Sequence, residues 1–335
     1  FIDEVVNSDL VIDFSGDMWG DNADFLGDNR FLVGLLKDRV AQLLGKKTAL
    51  IAGSPGPFNN PRTLGFAQEV FESFDLVTNR ESISVELLEI SDFDVSRVVS
   101  LACPAFLFEP KAVSEIADIS SRVGLSRKDK VTFGFILCGW NFLDGPFDKW
   151  PRRNSDYIPF AEAVEYITEE LGARVYLMSH SNGFPIPPLP FKLVHGRDYK
   201  IVKQLETVLN SRGISKDFYV LNNILDAWQT KAIISQFDIL VSGRVHGAIA
   251  GLSQNVPTVI IDYGHGPKAH KLKGFAIEAG VEDYVADPNT KNDIITKIEL
   301  CWLNRFELKQ KLKQQIPIAK TKARKNFSSL KNLFE

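Results

Sequence analysis

The 335-residue chain has few cysteines, no long apolar run and little excess charge, and each shortage excludes a class of protein. Its three cysteines, Cys103, Cys138 and Cys301, are far apart and lack metal-ligand spacing, so we expect reduced thiols in a cytoplasmic protein, not a disulfide framework. The longest uncharged apolar stretch, around residues 131–143, is too short to span a bilayer. A net charge of −3 gives no reason to expect a nucleic-acid partner.

The sequence has the composition of a globular protein, with 44% hydrophobic and 24% charged residues, and a length that suits two domains. From Arg305 to Lys331 it carries nine Lys or Arg against one acid. We interpret this stretch as a solvated helical face, and peripheral contact with a membrane surface is the alternative. Because the chain starts with Phe1 and not Met, we expect the natural N-terminus and any targeting signal to be missing.

Short apolar runs alternate with amphipathic helical stretches from Leu10 to Ile261, which predicts parallel sheets covered by helices. The alternation breaks after residue 103 and restarts at Val131. The fold class is therefore predicted as α/β, with two Rossmann-like domains whose parallel sheets face a cleft. The Pro-rich stretch 179–197 shows no period and is predicted to be a long surface loop.

Three segments follow from this pattern. We expect an N-terminal Rossmann-like domain over residues 1–120 and a C-terminal one over residues 121–289. The remaining residues, 290–335, are predicted to be helical and to pack back across the domains.

The strongest chemical signal is the segment SGRVHG, residues 242–247, in which a strand is followed by a glycine turn and a helix. Arg244 and His246 are thereby placed at a helix N-terminus, where free backbone N–H groups favour an anion. Arg244 adds a planar fork of donors, and His246 can exchange a proton near neutral pH. Gly243 and Gly247 would let a ligand approach the backbone closely. The alternative is a surface ion pair beside a capping imidazole.

Ligands of open α/β sheets bind beyond the carboxyl ends of the strands. After the first strand come Asp17, Trp19, Asp21 and Asn22, which we predict to bind a sugar, because hydroxyl groups need paired donors and acceptors. An ordinary Asx-rich turn with a packing Trp is the alternative. Asn141 follows the first strand of the second domain and is predicted to contact the donor substrate.

The block S-x-R-x-H-G, followed by V-P-T-V and a Tyr-containing turn with Lys268, resembles the signature of the polysaccharide pyruvyl transferase family. The pieces FSGDMWGDN, GSPGPF, TNRESISVELL and CPAFLF resemble other segments of that family and occur in its order. The resemblance covers about residues 10 to 285.

This resemblance implies a GT-B-like fold and a reaction in which phosphoenolpyruvate and a sugar give a cyclic pyruvate ketal and phosphate. It implies that His246 is the proton donor, that Arg244 clamps the anion, and that Lys268 adds a second cation. Phosphoenolpyruvate would be a co-substrate, with no further cofactor. The acceptor would be a sugar or a lipid-linked glycan of an exopolysaccharide or the cell surface.

Two positions depart from the family pattern, since Cys138 stands where a basic residue is common and Cys103 where an Asp is usual. They leave open a non-catalytic sugar-binding relative. A GT-B glycosyltransferase that uses a nucleotide sugar is also open, with Asp262 as a ribose partner. His265 and His270 lack a carboxylate-rich frame, so no metal site is predicted, and the turn that holds them is expected to be a flexible basic lid.

Overall fold

The β-α alternation produces two parallel sheets, each in a compact unit of its own. The computed structural model describes residues 1–127, 129–142, 152–214, 216–264 and 270–335. The described parts of unit 1 are residues 1–107, 270–278 and 317–335, and unit 2 comprises those of residues 108–264 and 279–316. The domain limits at residues 120 and 289 were drawn from the alternation and stay predictions.

Unit 1 contains a four-stranded parallel sheet in the order β1-β2-β3-β4. Its helices and strands up to residue 107 are α1 (Ile2–Val6), β1 (Leu10–Asp13), α2 (Arg30–Leu43), β2 (Lys47–Gly53), α3 (Pro61–Glu72), β3 (Leu76–Asn79), α4 (Ile83–Ile90) and β4 (Val98–Ser100). Helices α2 and α3 cover a core rich in aromatic residues.

Unit 2 contains a six-stranded parallel sheet in the order β12-β11-β10-β5-β6-β9 and a separate two-stranded hairpin, β7-β8. Its helices and strands up to residue 264 are α5 (Ala117–Arg122), β5 (Thr132–Ile136), α6 (Ile158–Glu165), β6 (Arg174–Met178), β7 (Asn182–Gly183), β8 (Val194–His195), α7 (Arg197–Ser211), β9 (Phe218–Leu221), α8 (Ala227–Ile234), β10 (Ile239–Ser242), α9 (Val245–Leu252) and β11 (Thr258–Ile261). The short strand β12 is Val285–Ala286.

Local sequence signals explain several of these elements. Helix α3 begins where the Asn60 side chain accepts a hydrogen bond from the Arg62 amide, with a proline in the first turn. Helix α8 begins with a capping box between Asp226 and Gln229. Gly134 lies in central strand β5 because a Cβ there would come within 2.4 Å of the Phe237 ring.

Two further helices lie after β11 in the chain, α10 (His270–Ala279) and α11 (Asp293–Lys331). Helix α11 contains Pro317, and its residues before and after that point belong to unit 2 and unit 1, respectively. In unit 1 the buried Asn326 accepts from the Thr78 hydroxyl at 2.7 Å and donates to the Ala102 carbonyl at 3.0 Å. In unit 2, Trp302 stacks on Phe133.

The predicted fold class, α/β with parallel sheets, is confirmed. Two expectations need correction. The stretch 179–197 contains a hairpin, β7-β8, so it is not wholly irregular. The turn expected to be a flexible lid is partly helical, because residues from His270 onward form α10. Among the described helices, none combines the length and apolar character that crossing a bilayer requires.

Candidate active site

Several polar and charged side chains lie at the carboxyl edge of the unit 2 sheet. Strands β5, β6, β10 and β11 are parallel neighbours, so the segments that follow them lie at one edge. These segments carry Asn141, His180, Arg244 and Asp262. The sequence-predicted donor residues in the described part of the chain all lie at this edge.

Arg244 occupies the N-cap position of α9 and forms an ion pair with Asp198 in the first turn of α7. Its Nε donates to Asp198 Oδ2 at 3.0 Å and its Nη2 to Oδ1 at 2.5 Å, a bidentate pair. Asp198 is completely buried and also accepts from the Ser181 amide at 3.3 Å. Since the pair does not use the two Nη1 hydrogens, Arg244 can donate these to an anion while it is held in place.

The electrostatics of this pair keep the guanidinium charged. Burial alone would lower the pKa of Arg244, but the Cys138 and Asp198 groups outweigh it and raise the pKa above its ordinary value. The charge at this edge therefore does not titrate in any physiological pH range.

His246 lies in the first turn of α9, two residues after Arg244, and its side chain is exposed. The Arg244 carbonyl accepts the first helical hydrogen bond, from the Ala248 amide at 2.8 Å, so residues 245–247 form the first turn of α9. An exposed imidazole beside a fixed guanidinium is suited to deliver a proton to a bound anion.

His180 is a second histidine at this edge, and the sequence analysis did not identify it. It lies two residues after the end of β6, and its Cδ2 lies 3.3 Å from where a Cβ on Gly247 would be. Burial and then the Arg244 charge lower the pKa of His180 to about 4, so the ring is neutral at pH 7. The available signal was its place after a predicted strand, the same rule that identified Asn141.

Asn141 stabilises the carboxyl edge of the unit 2 sheet through buried hydrogen bonds. Its Oδ1 accepts from the Cys138 amide at 2.8 Å, and its Nδ2 donates to the carbonyls of Gly243, Ile261 and Asp262 at 3.1–3.3 Å. The side chain is buried, and its hydrogen bonds tie the ends of β5, β10 and β11 together. In this arrangement Asn141 supports the site instead of presenting its amide to a donor.

The two glycines have a packing role that differs from the expected one. A Cβ on Gly243 would come within 2.0 Å of Asn141 Oδ1, and one on Gly247 within 2.7 Å of Ser242 Oγ. The space expected for a ligand at these glycines is filled by the protein's own side chains. Cys138, the departure from the family pattern, is buried and donates its thiol to the Gly243 carbonyl at 3.1 Å.

Lys268, predicted as a second cation, and His265 lie outside the described residues. In the part of the chain that is described, no group of three or more His, Cys, Asp or Glu side chains could hold a metal ion. Asp262, considered as a ribose partner, is buried, and its Oδ1 accepts from the Tyr263 amide at 2.7 Å.

A cavity of about 300 Å³ in unit 2 lies beside this edge. Its lining includes Asn141, Phe142, Arg152, Asp156 and Asn289, but neither Arg244 nor His246. The cavity is therefore adjacent to the Arg244 turn and separate from it.

In unit 1, the predicted sugar platform at Trp19 is corrected by the structure. The Trp19 ring is 2% exposed, and five Phe rings surround it with centroids 5.5–6.3 Å away. Its face is used for core packing and is not available to a sugar.

Asp21 and Asn22 hold the neighbouring loop instead of an open surface. Asp21 accepts from the amides of Asn59 and Asn60, and the buried Asn22 donates to the Gly56 carbonyl at 2.8 Å. The Asn22 side chain therefore holds the segment GSPGPF, and the Asp21 side chain holds the two residues that follow it. The Asx-turn alternative with a packing Trp describes Trp19, Asp21 and Asn22 better than the sugar site does.

Asp17 is the one of the four predicted acceptor residues that lies among opposite charges. It forms an ion pair with the buried Lys271 of α10, and Arg80 Nη2 lies 3.9 Å from its Oδ1. Arg80 also donates from Nε to the Ser54 hydroxyl at 2.7 Å. Lys271 and Ser54 were not singled out as partners from the sequence, because their proximity depends on how α10 packs in unit 1.

Comparison with known proteins supplies a family and a fold. A sequence model of the family described as polysaccharide pyruvyl transferase matches residues 2–265. The amylovoran biosynthesis protein AmsJ of Erwinia amylovora is 22% identical over 326 residues, which cover 94% of this chain and 71% of that protein.

Solved structures are similar over most of the chain. The crystal structure of Anabaena Alr3699/HepE in complex with UDP has a TM-score of 0.61 at 11% identity, covering 99% of this chain and 80% of that one. UDP-GlcNAc 2-epimerase from Methanocaldococcus jannaschii has a TM-score of 0.55 at 12% identity, covering 89% and 73%. At such identities the likeness shows the fold alone, and the predicted two-domain GT-B-like fold is confirmed.

Proposed function

The chain belongs to the polysaccharide pyruvyl transferase family, and we propose that it transfers pyruvate from phosphoenolpyruvate to a sugar as a cyclic ketal. The observation that carries the proposal is the Asp198–Arg244 ion pair beside the exposed His246. These residues combine a fixed cation with an imidazole that can act as a general acid at a helix N-terminus, and they lie within the matched residues 2–265. The relationship to AmsJ supports a role in polysaccharide synthesis.

The reaction needs one proton at carbon and two sugar oxygens at C2. His246 protonates the methylene carbon of phosphoenolpyruvate, and C2 becomes electrophilic. One sugar hydroxyl adds to C2, the bond between C2 and the phosphate oxygen breaks, and phosphate leaves. The second hydroxyl then adds to C2 and closes the ketal. Of the two hydroxyl protons, one restores the acid and the other leaves with phosphate.

Arg244 is assigned to the anionic groups of the donor. Its Nε and Nη2 are held by Asp198, so the direction of Nη1 is set before the donor arrives, which reduces the reorganisation that binding requires. Lys268 is proposed as a second cation, and Asp17 as the acceptor contact that fits best among the four predicted. No metal or cofactor is assigned. The buried thiols Cys103, Cys138 and Cys301 suit action in the cytoplasm.

The test is phosphate release from phosphoenolpyruvate that depends on glycans carrying two suitably placed hydroxyl groups, with the ketal methyl group followed by NMR. Loss of the acid in His246→Ala should lower kcat by about 10²–10⁴-fold. Arg244→Lys keeps the charge but loses the fork, so it should mainly raise KM for phosphoenolpyruvate. Near-wild-type turnover of His246→Ala would refute the acid role. A wild-type enzyme that instead releases UDP from UDP-glucose with the same acceptors would be a glycosyltransferase.

A further inference from the structure

The hairpin β7-β8 of unit 2 carries an exposed apolar tip, residues 184–191. Four large side chains of this tip are more than half exposed: Phe184 60%, Ile186 79%, Leu189 63% and Phe191 73%. The Phe184 and Phe191 rings pack against each other at 5.6 Å, so the two ends of the tip share one apolar surface. Contiguous exposed apolar groups of this kind mark an interaction surface.

Contacts with α7 and with neighbouring backbone hold the base of the hairpin in place, so the position of the tip is defined. Asn182 pairs with His195 across the two strands and donates from its side chain to the Leu225 carbonyl. The His195 ring stacks on Tyr199 of α7 with centroids 3.6 Å apart. Glycine is needed at position 196, because a Cβ there would lie 2.2 Å from the Ser181 carbonyl oxygen.

Proline content favours a lipid phase over a protein strand as the partner of the tip. Pro185, Pro187, Pro188 and Pro190 alternate with the apolar side chains and have no N–H group. The Leu189 amide is used within the tip, donating to the Ile186 carbonyl at 3.3 Å. A segment with few N–H groups has fewer backbone donors to desolvate on entering an apolar layer, and it cannot extend a partner's β-sheet.

Charge favours an anionic surface. The sequence has no Asp or Glu from Ser179 to Arg197, whereas Lys192 follows the tip directly and Arg197 opens α7. Cations next to exposed aromatic and aliphatic side chains are the pattern of interfacial membrane binding, because the apolar groups enter the headgroup boundary while the cations meet lipid phosphates.

We infer that the hairpin tip docks this protein onto an anionic phospholipid bilayer. Phe184, Ile186, Leu189 and Phe191 enter the interface, and Lys192 contacts lipid phosphates. The inference stands independently of pyruvyl transfer. The hairpin begins two residues after His180 and leads into the α7 turn that holds Asp198, so docking brings the carboxyl edge of the unit 2 sheet to the membrane surface.

The experiment measures co-sedimentation of the full chain with vesicles of phosphatidylcholine alone or of equal parts phosphatidylcholine and phosphatidylglycerol. The test variant is Ile186→Ser/Phe191→Ser. The matched control, Leu43→Ser/Ile90→Ser, removes two side chains that are 71% and 79% exposed elsewhere. We expect wild type and control to bind anionic vesicles equally, and the tip variant to bind about tenfold more weakly. Lys192→Glu should weaken binding to anionic vesicles about fivefold and leave binding to phosphatidylcholine unchanged.

Three results would overturn the inference. The wild-type chain does not bind anionic vesicles, or the tip variant binds them as well as the control does. Alternatively, light scattering without vesicles shows a wild-type dimer that the tip variant converts to a monomer, in which case a second copy of the chain covers the tip. Circular dichroism of each variant verifies that lost binding does not reflect lost folding.

Discussion

At the residue scale, the pairing of Asp198 with Arg244 decides what the candidate site can do. A completely buried carboxylate is costly unless it is paired and hydrogen-bonded, and both oxygens of Asp198 are engaged by Arg244. The pair therefore exists before any ligand binds. It fixes the guanidinium in one orientation, which a solvent-exposed arginine at a helix terminus would not have.

Asp198→Asn should destabilise the protein and weaken donor binding together. The variant leaves a partly buried guanidinium facing a neutral amide, so we expect the free energy of unfolding in urea to fall by about 2–3 kcal/mol. The KM for phosphoenolpyruvate should rise more than kcat falls. In the control Asp217→Asn, the lost pair with Lys130 is more exposed and should contribute less than about 1 kcal/mol. Equal losses in the two variants would contradict the structural role of Asp198.

A second buried carboxyl group makes stability depend on pH. Burial and then the Asp13 carboxylate raise the pKa of Asp38 to about 8, above its unfolded value of 3.8. Between these values the unfolded chain releases a proton that the folded one retains, so the contribution of Asp38 to stability falls as pH rises from about 4 to 8.

Asp38→Asn should abolish that slope, because asparagine resembles the protonated acid. We expect the variant to be close to wild type near pH 4 and to be more stable by up to about 5 kcal/mol at pH 8, because each pKa unit corresponds to about 1.4 kcal/mol, measured by urea unfolding. Asp94→Asn is the control of opposite sign, since hydrogen bonds from Ser96 lower the pKa of Asp94. A difference between Asp38→Asn and wild type that is constant with pH would rule out this titration.

Sequence reasoning located Arg244 and His246 correctly at a helix terminus, because a strand, a glycine and an amphipathic stretch fix that geometry locally. It could not assign Trp19. A tryptophan after a strand has the same local sequence whether its ring faces solvent or core. The outcome here depends on Phe31, Phe58 and Phe93, which arrive from other segments.

At the element scale, the turn between β10 and α9 depends on a glycine that makes room for Asn141. Gly243→Ala should lower the free energy of unfolding by about 2–3 kcal/mol, because the added methyl would overlap Asn141 Oδ1 at 2.0 Å. Gly65→Ala in α3 is the matched control. Nothing lies within 4 Å of its added Cβ, so it should stabilise the helix by about 0.5–1 kcal/mol. Urea denaturation of both variants measures the two changes in the free energy of unfolding. An unchanged stability of Gly243→Ala would mean that Asn141 moves aside without cost.

The elements that sequence reasoning missed are those whose formation depends on distant partners. The turn that holds His270 was expected to be a flexible lid, yet His270 begins α10, whose Gly274 packs where a Cβ would meet the Glu81 carboxylate at 2.2 Å. The hairpin β7-β8 has two-residue strands, too short to show alternation. The regular strands and helices of the two sheets were predictable because each carries its own hydrophobic period.

At the scale of the whole molecule, each unit is built from several separate chain segments. Hydrophobic periodicity does not predict which segment belongs to which unit. Helix α11 is continuous from Asp293 to Lys331, but Trp302 packs in unit 2 and Asn326 in unit 1. Amphipathicity predicts that such a stretch is helical and leaves open which surface each turn covers. Donor binding, by contrast, is predicted to involve a local part of unit 2.

Phosphoenolpyruvate should stabilise the protein and protect one short segment from hydrogen exchange. At a hundredfold excess over its dissociation constant, a ligand that binds the folded state alone adds about 2.7 kcal/mol to the free energy of unfolding. Because the proposed site uses the N-terminus of α9 and the Nη1 of Arg244, the largest protection should fall on amides 245–247. Inorganic phosphate, which lacks the carboxylate, should protect the same amides less at equal concentration. UDP-glucose is the decisive comparison, since its diphosphate would compete for the same fixed cation. If UDP-glucose protects these amides and phosphoenolpyruvate does not, the fixed cation serves a nucleotide diphosphate, and the pyruvyl-transfer proposal fails.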